Sequence, residues 1–386
     1  MNENRERCLQ LTRLLNESVL LPMKSHFVDK DEIIDLLGTC LVAGENLFML
    51  GPPGTAKSAL VHEMARLIEG RSFDYLLTRF TEPNELFGPF DIRKLREGEL
   101  ITNTEGMLPE ASFVFLDELL NANSAILNSL LQVLNERIFR RGRETRRLPL
   151  LMVVAASNRL PEDEALHALF DRFLIRVHCD NVGEEHLRDV LDAGWAMERR
   201  CLEKPTTITA DEIKQVQQML VEVDLKEVRP AYLNLVLRLR KAGIPISDRR
   251  AVKLQRMIAA SSLACGRFTA RPSDMWVVRY TWETEEQQEV IANIVAEAIR
   301  QSECEPGDHP RSRGLDKPDP EVLAHDLEVL ADSLKKTALN ESERAVAADQ
   351  LQQLSSRCEW VPAGPARDHL AKRVEALWEL VRTAQP

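Results

Sequence analysis

Gly51-Pro-Pro-Gly-Thr-Ala-Lys57-Ser58 is the stretch whose residue types most directly suggest chemistry. Two glycines and two prolines make a tight turn, and a lysine and a hydroxyl follow it. Backbone N–H groups around such a turn point inward at phosphate oxygens, and a helix opening at Lys57 adds partial positive charge. In this reading Gly51, Pro52, Pro53, Gly54, Thr55 and Ala56 form the cradle. Lys57 reaches the β- and γ-phosphates of ATP, or the β-phosphate of ADP, and Ser58 binds Mg²⁺. Ala56 stands where glycine is usual, so the loop must keep φ negative there or accept some strain.

Farther along, Phe113-Val-Phe-Leu-Asp117-Glu118 sets two acids at the end of an apolar run. The ends of buried strands are where α/β sheets bind ligands. Asp117 suits the Mg²⁺ shell, and Glu118 suits orienting or deprotonating a water. Leu150–Ala156 is a third apolar run, ending in Ser157-Asn158, and Asn158 there could help place that water.

These residues need elements to position them. Apolar runs at 46–50, 112–117 and 150–156 read as buried strands, alternating with helices at 29–43, 57–69 and 123–136. That alternation predicts an α/β fold with a parallel sheet covered by helices on both faces. Residues 5–21 read as an amphipathic helix ended by Pro22. From about 206 the pattern becomes all-α, with helices at 209–223, 230–242, 247–265, 272–281 and 284–300. A Pro/Gly/charge-rich linker is expected at 303–319. Helices at 320–336, 341–357 and 365–383 would form a C-terminal hairpin or bundle. The expected domains are therefore 1–205, 206–302 and 320–386, joined by that linker.

The chain resembles the AAA+ superfamily, and within it the MoxR group and its RavA-type (regulatory ATPase variant A) branch. Gly51–Ser58, Leu77–Pro89, Gly106–Glu118, Ala125–Leu131, Asn135–Phe139, Ala155–Asn158, Leu169–Phe173 and Ser247–Arg250 carry the resemblance. The RavA-type loop also has alanine before its lysine. The resemblance implies ATP hydrolysis with Asn158 as first sensor and Arg172 as an arginine finger acting on a neighbouring subunit. It makes Arg249, or adjacent Arg250, the second sensor in an all-α lid, and sets Val28 against adenine. It also implies a hexameric ring, a partner with a von Willebrand A-type domain, a protein client, and a hairpin insertion at 78–106.

Composition limits the alternatives. Lys+Arg total 50 against 61 Asp+Glu, a net charge of −11, which disfavours general nucleic-acid or anionic-membrane binding. Arg137–Arg147 departs locally, with six arginines around Gly142. It is either a basic hairpin gripping nucleic acid or a solvated hairpin pairing with acids; the overall acidity favours the second. Seven widely spaced cysteines fit free thiols in the cytoplasm. No apolar run is long enough to span a membrane.

Overall fold

The computed structural model describes residues 2–97, 100–141, 144–161, 164–200, 208–302 and 306–313. Beyond these it describes 320, 323–324, 327–328, 330–331, 334, 347–348, 351, 354–355, 358, 361 and 364–383. The chain opens with α1 (Asn2–Leu15), a π-helical turn (Asn16–Leu20) and α2 (Leu21–His26) in one continuous run. Pro22 therefore does not end the helix. The wider turn just before it, in which the Leu21 amide donates to the Asn16 carbonyl, relieves the clash a proline ring makes with the preceding helical turn.

The sheet-bearing half follows as α3 (Asp31–Ala43), β1 (Leu47–Leu50), α4 (Lys57–Leu67), β2 (Ile68–Glu69) and β3 (Ser72–Leu76). After it come α5 (Pro83–Phe87), α6 (Ile92–Arg96), β4 (Phe113–Asp117), α7 (Ser124–Glu136), the hairpin β5 (Ile138–Arg141) and β6 (Glu144–Arg147), and β7 (Met152–Ser157). Then α8 (Glu164–Phe170), β8 (Ile175–His178) and α9 (Leu187–Arg200) complete it. Strands β3-β4-β7-β1-β8 lie in that order, all parallel. Every side chain of β1 and β7 is buried. Because successive strand residues face opposite sides, the sheet is covered on both. The expected α/β sheet is therefore present.

In the 78–106 segment one antiparallel bridge, Phe90–Thr102, joins two arms made mainly of α5, α6 and loop, rather than a long hairpin.

The helical part comprises β9 (Ile208–Thr209), α10 (Ala210–Met219), α11 (Arg229–Lys241), α12 (Asp248–Ala264), a 3₁₀ helix (Pro272–Tyr280) and α13 (Glu285–Arg300). The boundary read at 205/206 falls at 201–207, outside the described residues. Beyond it, β9 pairs with β2 and Gln217 of α10 donates to the Leu41 carbonyl, so this part starts docked on the sheet half.

Two buried arginines fix the rest of the lid to the sheet. Arg176 of β8 donates to the Thr281 and Trp282 carbonyls at 3.1 and 2.7 Å and stacks on Phe170. Arg250 of α12 donates to the same Thr281 carbonyl and pairs with Glu283.

The segment read as a linker departs from expectation. Residues 303–305 and 314–319 lie outside the described residues, but 306–313 pack as a strap. Arg311 pairs with buried Asp35 at 2.6 Å, and Lys24 meets the same carboxylate at 2.5 Å. His309 stacks on Trp276, and Ser273 bonds Asp308. Its charges looked solvent-bound in sequence because their partners lie far back in the chain. The helix expected at 365–383 is present as Pro365–Thr383. Most of 320–357 is outside the described residues, but Leu323, Leu327, Leu351, Leu370 and Leu377 belong to a second, smaller core.

Burial raises the Asp35 pKa, but Lys24 and Arg311 outweigh it and hold the carboxyl below its usual 3.8. A lowered folded pKa contributes stability that is full above the unfolded value and is lost as pH falls through the folded one. Asp35→Asn, which removes the carboxylate shared by two buried cations, is expected to cost about 3–5 kcal/mol in urea unfolding at pH 7. The difference from the parent should shrink as the buffer is acidified below about pH 4.

Candidate functional site: a phosphate cradle at the sheet's C-terminal edge

Strand order brings the chemistry-bearing residues together. β1 ends at Leu50, in register with Ser157 of β7, and β7 pairs on its other side with β4. Asn158 therefore sits between the loop leaving β1 and the acids ending β4. Ser58 Oγ lies 3.5 Å from Asp117 Oδ2 across this edge.

Residues 51–58 form a turn leading into α4. The Gly51 amide donates to the Ser157 carbonyl, and the Cys179 amide donates to the Leu50 carbonyl. A Cβ on Gly51 would collide with the Cys179 carbonyl, so only glycine fits. Gly54 takes φ 86°, with open space on its Cβ side. Ala56 takes φ 67°, so the second of the two sequence options holds: the loop accepts left-handed strain worth about 1 kcal/mol. Lys57 is buried, and its ammonium donates to the Gly51 and Pro52 carbonyls at 2.8 and 2.7 Å. A bound phosphate would compete with these carbonyls for the Lys57 ammonium. Pro52, Pro53 and Gly54 are exposed, while Thr55 is buried, accepting from Cys179 Sγ at its carbonyl.

Glu118 has φ 51° and caps a 3₁₀ turn, Leu119–Asn121. Burial and the neighbouring Asp117 raise its pKa, against the pull of Lys57 and Arg159. Asn121 donates to Glu118 Oε2 at 3.3 Å, and Arg159 donates to Asn121. The sequence reading missed these two; their signal is their spacing, Asn121 one turn beyond Glu118 and Arg159 directly after Asn158.

Among the described residues no cluster of three or more His, Cys, Asp or Glu could hold a metal. The donor set that fits Mg²⁺ is Ser58 and Asp117, with phosphate oxygens completing an oxygen shell. Val28 follows α2 on the same edge, since neighbouring Lys30 donates to the Asp180 carbonyl just past β8.

Arg172 and Arg249 are not brought to this site. Asn46, which precedes β1, donates to the Arg172 carbonyl, and Arg249 donates to Asn135 at the far end of α7. Both therefore lie at the opposite, N-terminal edge of the sheet. There Asp171 bonds Arg172 at 2.8 Å and approaches Arg250 at 4.0 Å. Arg250, the other candidate for the second sensor, is buried and committed to Glu283 and Thr281.

The arginine hairpin forms, with Phe139 opposite Arg146. Residues 142–143 lie outside the described residues. Arg137 bonds the Gly44 carbonyl and Asn46, Arg141 bonds Gly88 and Asn84, Arg146 bonds Thr104, and Arg140 pairs with Glu136. The stretch thus braces the 83–110 region and the sheet edge.

Comparison with known proteins agrees with this picture. Residues 13–218 match the model of the MoxR domain in MoxR-vWA-beta-propeller ternary systems, and 221–295 match an AAA lid domain. An uncharacterized protein of Methanocaldococcus jannaschii is 35% identical over 271 residues, covering 70% of this chain and 71% of the relative. Chaperone MoxR1 of Mycobacterium tuberculosis is 26% identical over 179 residues, 45% of this chain and 47% of that one. A structure from Cytophaga hutchinsonii superposes with a TM-score of 0.62 at 17% identity, covering 78% of this chain and 98% of its own; it bears on fold alone.

Fold and cradle together define an AAA+ P-loop domain carrying a helical lid. The chain belongs to the MoxR family of AAA+ ATPases.

Ala56→Gly removes the left-handed penalty at the cost of one methyl contact. It is expected to raise stability by up to about 1 kcal/mol in urea unfolding while leaving ATP affinity unchanged.

Proposed function

We propose that this chain is a Mg²⁺-dependent ATPase that works as a ring, most simply a hexamer, and remodels or assembles a protein client. The observation that carries the reading is the separation of Arg172 and Arg249 from Lys57 and Glu118, on opposite edges of one sheet. An arginine placed there reaches only a neighbour's nucleotide, so the site is incomplete in a single chain. Family membership supports the same reading.

In this mechanism Lys57 and the loop amides bind the β- and γ-phosphates, and Val28 packs on the base. Mg²⁺ held by Ser58 and Asp117 would neutralise phosphate charge. Asn158 and Glu118 orient the attacking water, and Glu118 takes its proton as the water oxygen bonds the γ-phosphorus and the bond to the β-phosphate oxygen breaks. Arg172 and Arg249 of the next subunit stabilise the charge that develops on the transferred group.

A von Willebrand A-domain partner is supported by the systems for which the matching family model is described. A chaperone-like role is supported by the relative of that description. Ala56 before the lysine supports placement in the RavA-type branch, and the widely spaced free thiols support a cytoplasmic setting. No described helix is long and apolar enough to cross a membrane. Nucleic-acid translocation is the weaker reading, because the described arginines of the hairpin, Arg147 apart, are engaged within the chain.

Lys57→Ala is expected to abolish ATP binding. Glu118→Gln is expected to bind ATP but turn over at least about a hundredfold more slowly, and a parent-like rate would remove Glu118 from the base role. Turnover per subunit should rise with protein concentration and ignore added single-stranded DNA. Strong DNA stimulation would make translocation the leading reading.

A further inference from the structure

α9 carries an apolar stripe that faces solvent. Leu187, Leu191 and Trp195 recur every four residues and are 54%, 67% and 62% exposed. A helix on a monomeric surface would normally turn such a stripe inward. The helix packs on α2, which leads to Val28 and Lys30, so the stripe flanks the phosphate cradle. The described charges around it are Glu184, Arg188, Asp189 and Asp192, with Asp180 just before, an acidic balance.

The opposite edge of the same chain carries a second exposed apolar ridge. Leu233 and Leu237 of α11 are 60% and 48% exposed, and Val252 of α12 is 65% exposed. Arg240 joins the two helices through Asp248, and Arg249 lies between Asp248 and Val252. Arg229, Arg240, Lys241 and Arg249 against Asp248 make this ridge basic, in a chain whose net charge is −11. Next to Arg249 in α12, buried Arg250 approaches Asp171, which bonds Arg172.

We propose that the α9 stripe of one subunit docks on the α11–α12 ridge of a second copy of this chain, and that this contact sets Arg172 and Arg249 over the first subunit's phosphate cradle. The two surfaces match in apolar content and oppose in charge, and they sit on opposite edges of the sheet. A contact between unlike faces is head-to-tail, the kind that closes into a ring. Leu187, Leu191, Trp195, Leu233, Leu237 and Val252 are thus assembly determinants. The inference deepens the ring reading and depends on it.

The test uses the full chain and the substitutions Leu191→Glu and Leu237→Glu, both at exposed positions, with circular dichroism to verify folding. Sedimentation with ATP should find the parent assembled and each variant alone about tenfold or more weaker in association. ATP binding per subunit should be retained and turnover lost. Mixing the two variants leaves one intact stripe and one intact ridge, so dimers of unlike subunits should reappear with part of the turnover. Variants that assemble like the parent would overturn the docking proposal alone. Variants that lose assembly but are not rescued by mixing would overturn the head-to-tail pairing of these two faces. A parent chain that stays monomeric with ATP would overturn the ring reading as well.

Discussion

The lid's position depends on two buried guanidinium groups meeting one short stretch of backbone. Arg176 from β8 and Arg250 from α12 both donate to the Thr281 carbonyl, so a strand of the sheet and a helix of the lid share one acceptor. Buried cations need such partners, and replacing either leaves carbonyls and an acid stranded. Burial, with the nearby Arg250 charge, pulls the Arg176 pKa down to about 9, a sign of how fully the pairing must compensate for lost water. Fixing α12 this way turns Arg249, one residue before Arg250, outward at the sheet's N-terminal edge.

From that constraint the polarity of the molecule follows. Parallel strands collect every loop after β1, β4, β7 and β8 at one edge, where phosphate chemistry is placed by backbone geometry. The opposite edge collects helix ends and guanidinium groups. In this structure Arg172 and Arg249 stand at the edge opposite the cradle, held there by Asn46 and Asn135.

The cradle was legible because its parts are local: a turn, a helix start and strand ends whose spacing carries the meaning. Asp117, Glu118 and Asn158 converge because adjacent strands end in register, which apolar runs already suggested. Ala56 was only half legible, since its φ is imposed by the walls of the loop. The strap at 306–313 was misread because prolines and charges usually mean solvent. Arg311 finds Asp35 across most of the chain, and no local pattern announces such a partner. The same holds for Arg249 against Arg250: adjacent letters, one buried against Glu283 and one exposed, decided only by the way α12 docks.

The split between the two edges has a consequence for inheritance of damage. In the proposed ring, a copy that lost its outward arginine would keep a sound cradle of its own and impair the one beside it, whereas a copy with a broken cradle would still serve its neighbour. In a mixed population the two kinds of defect would therefore segregate to different junctions. The dose at which faulty copies silence the whole would report whether the junctions fire independently or in turn.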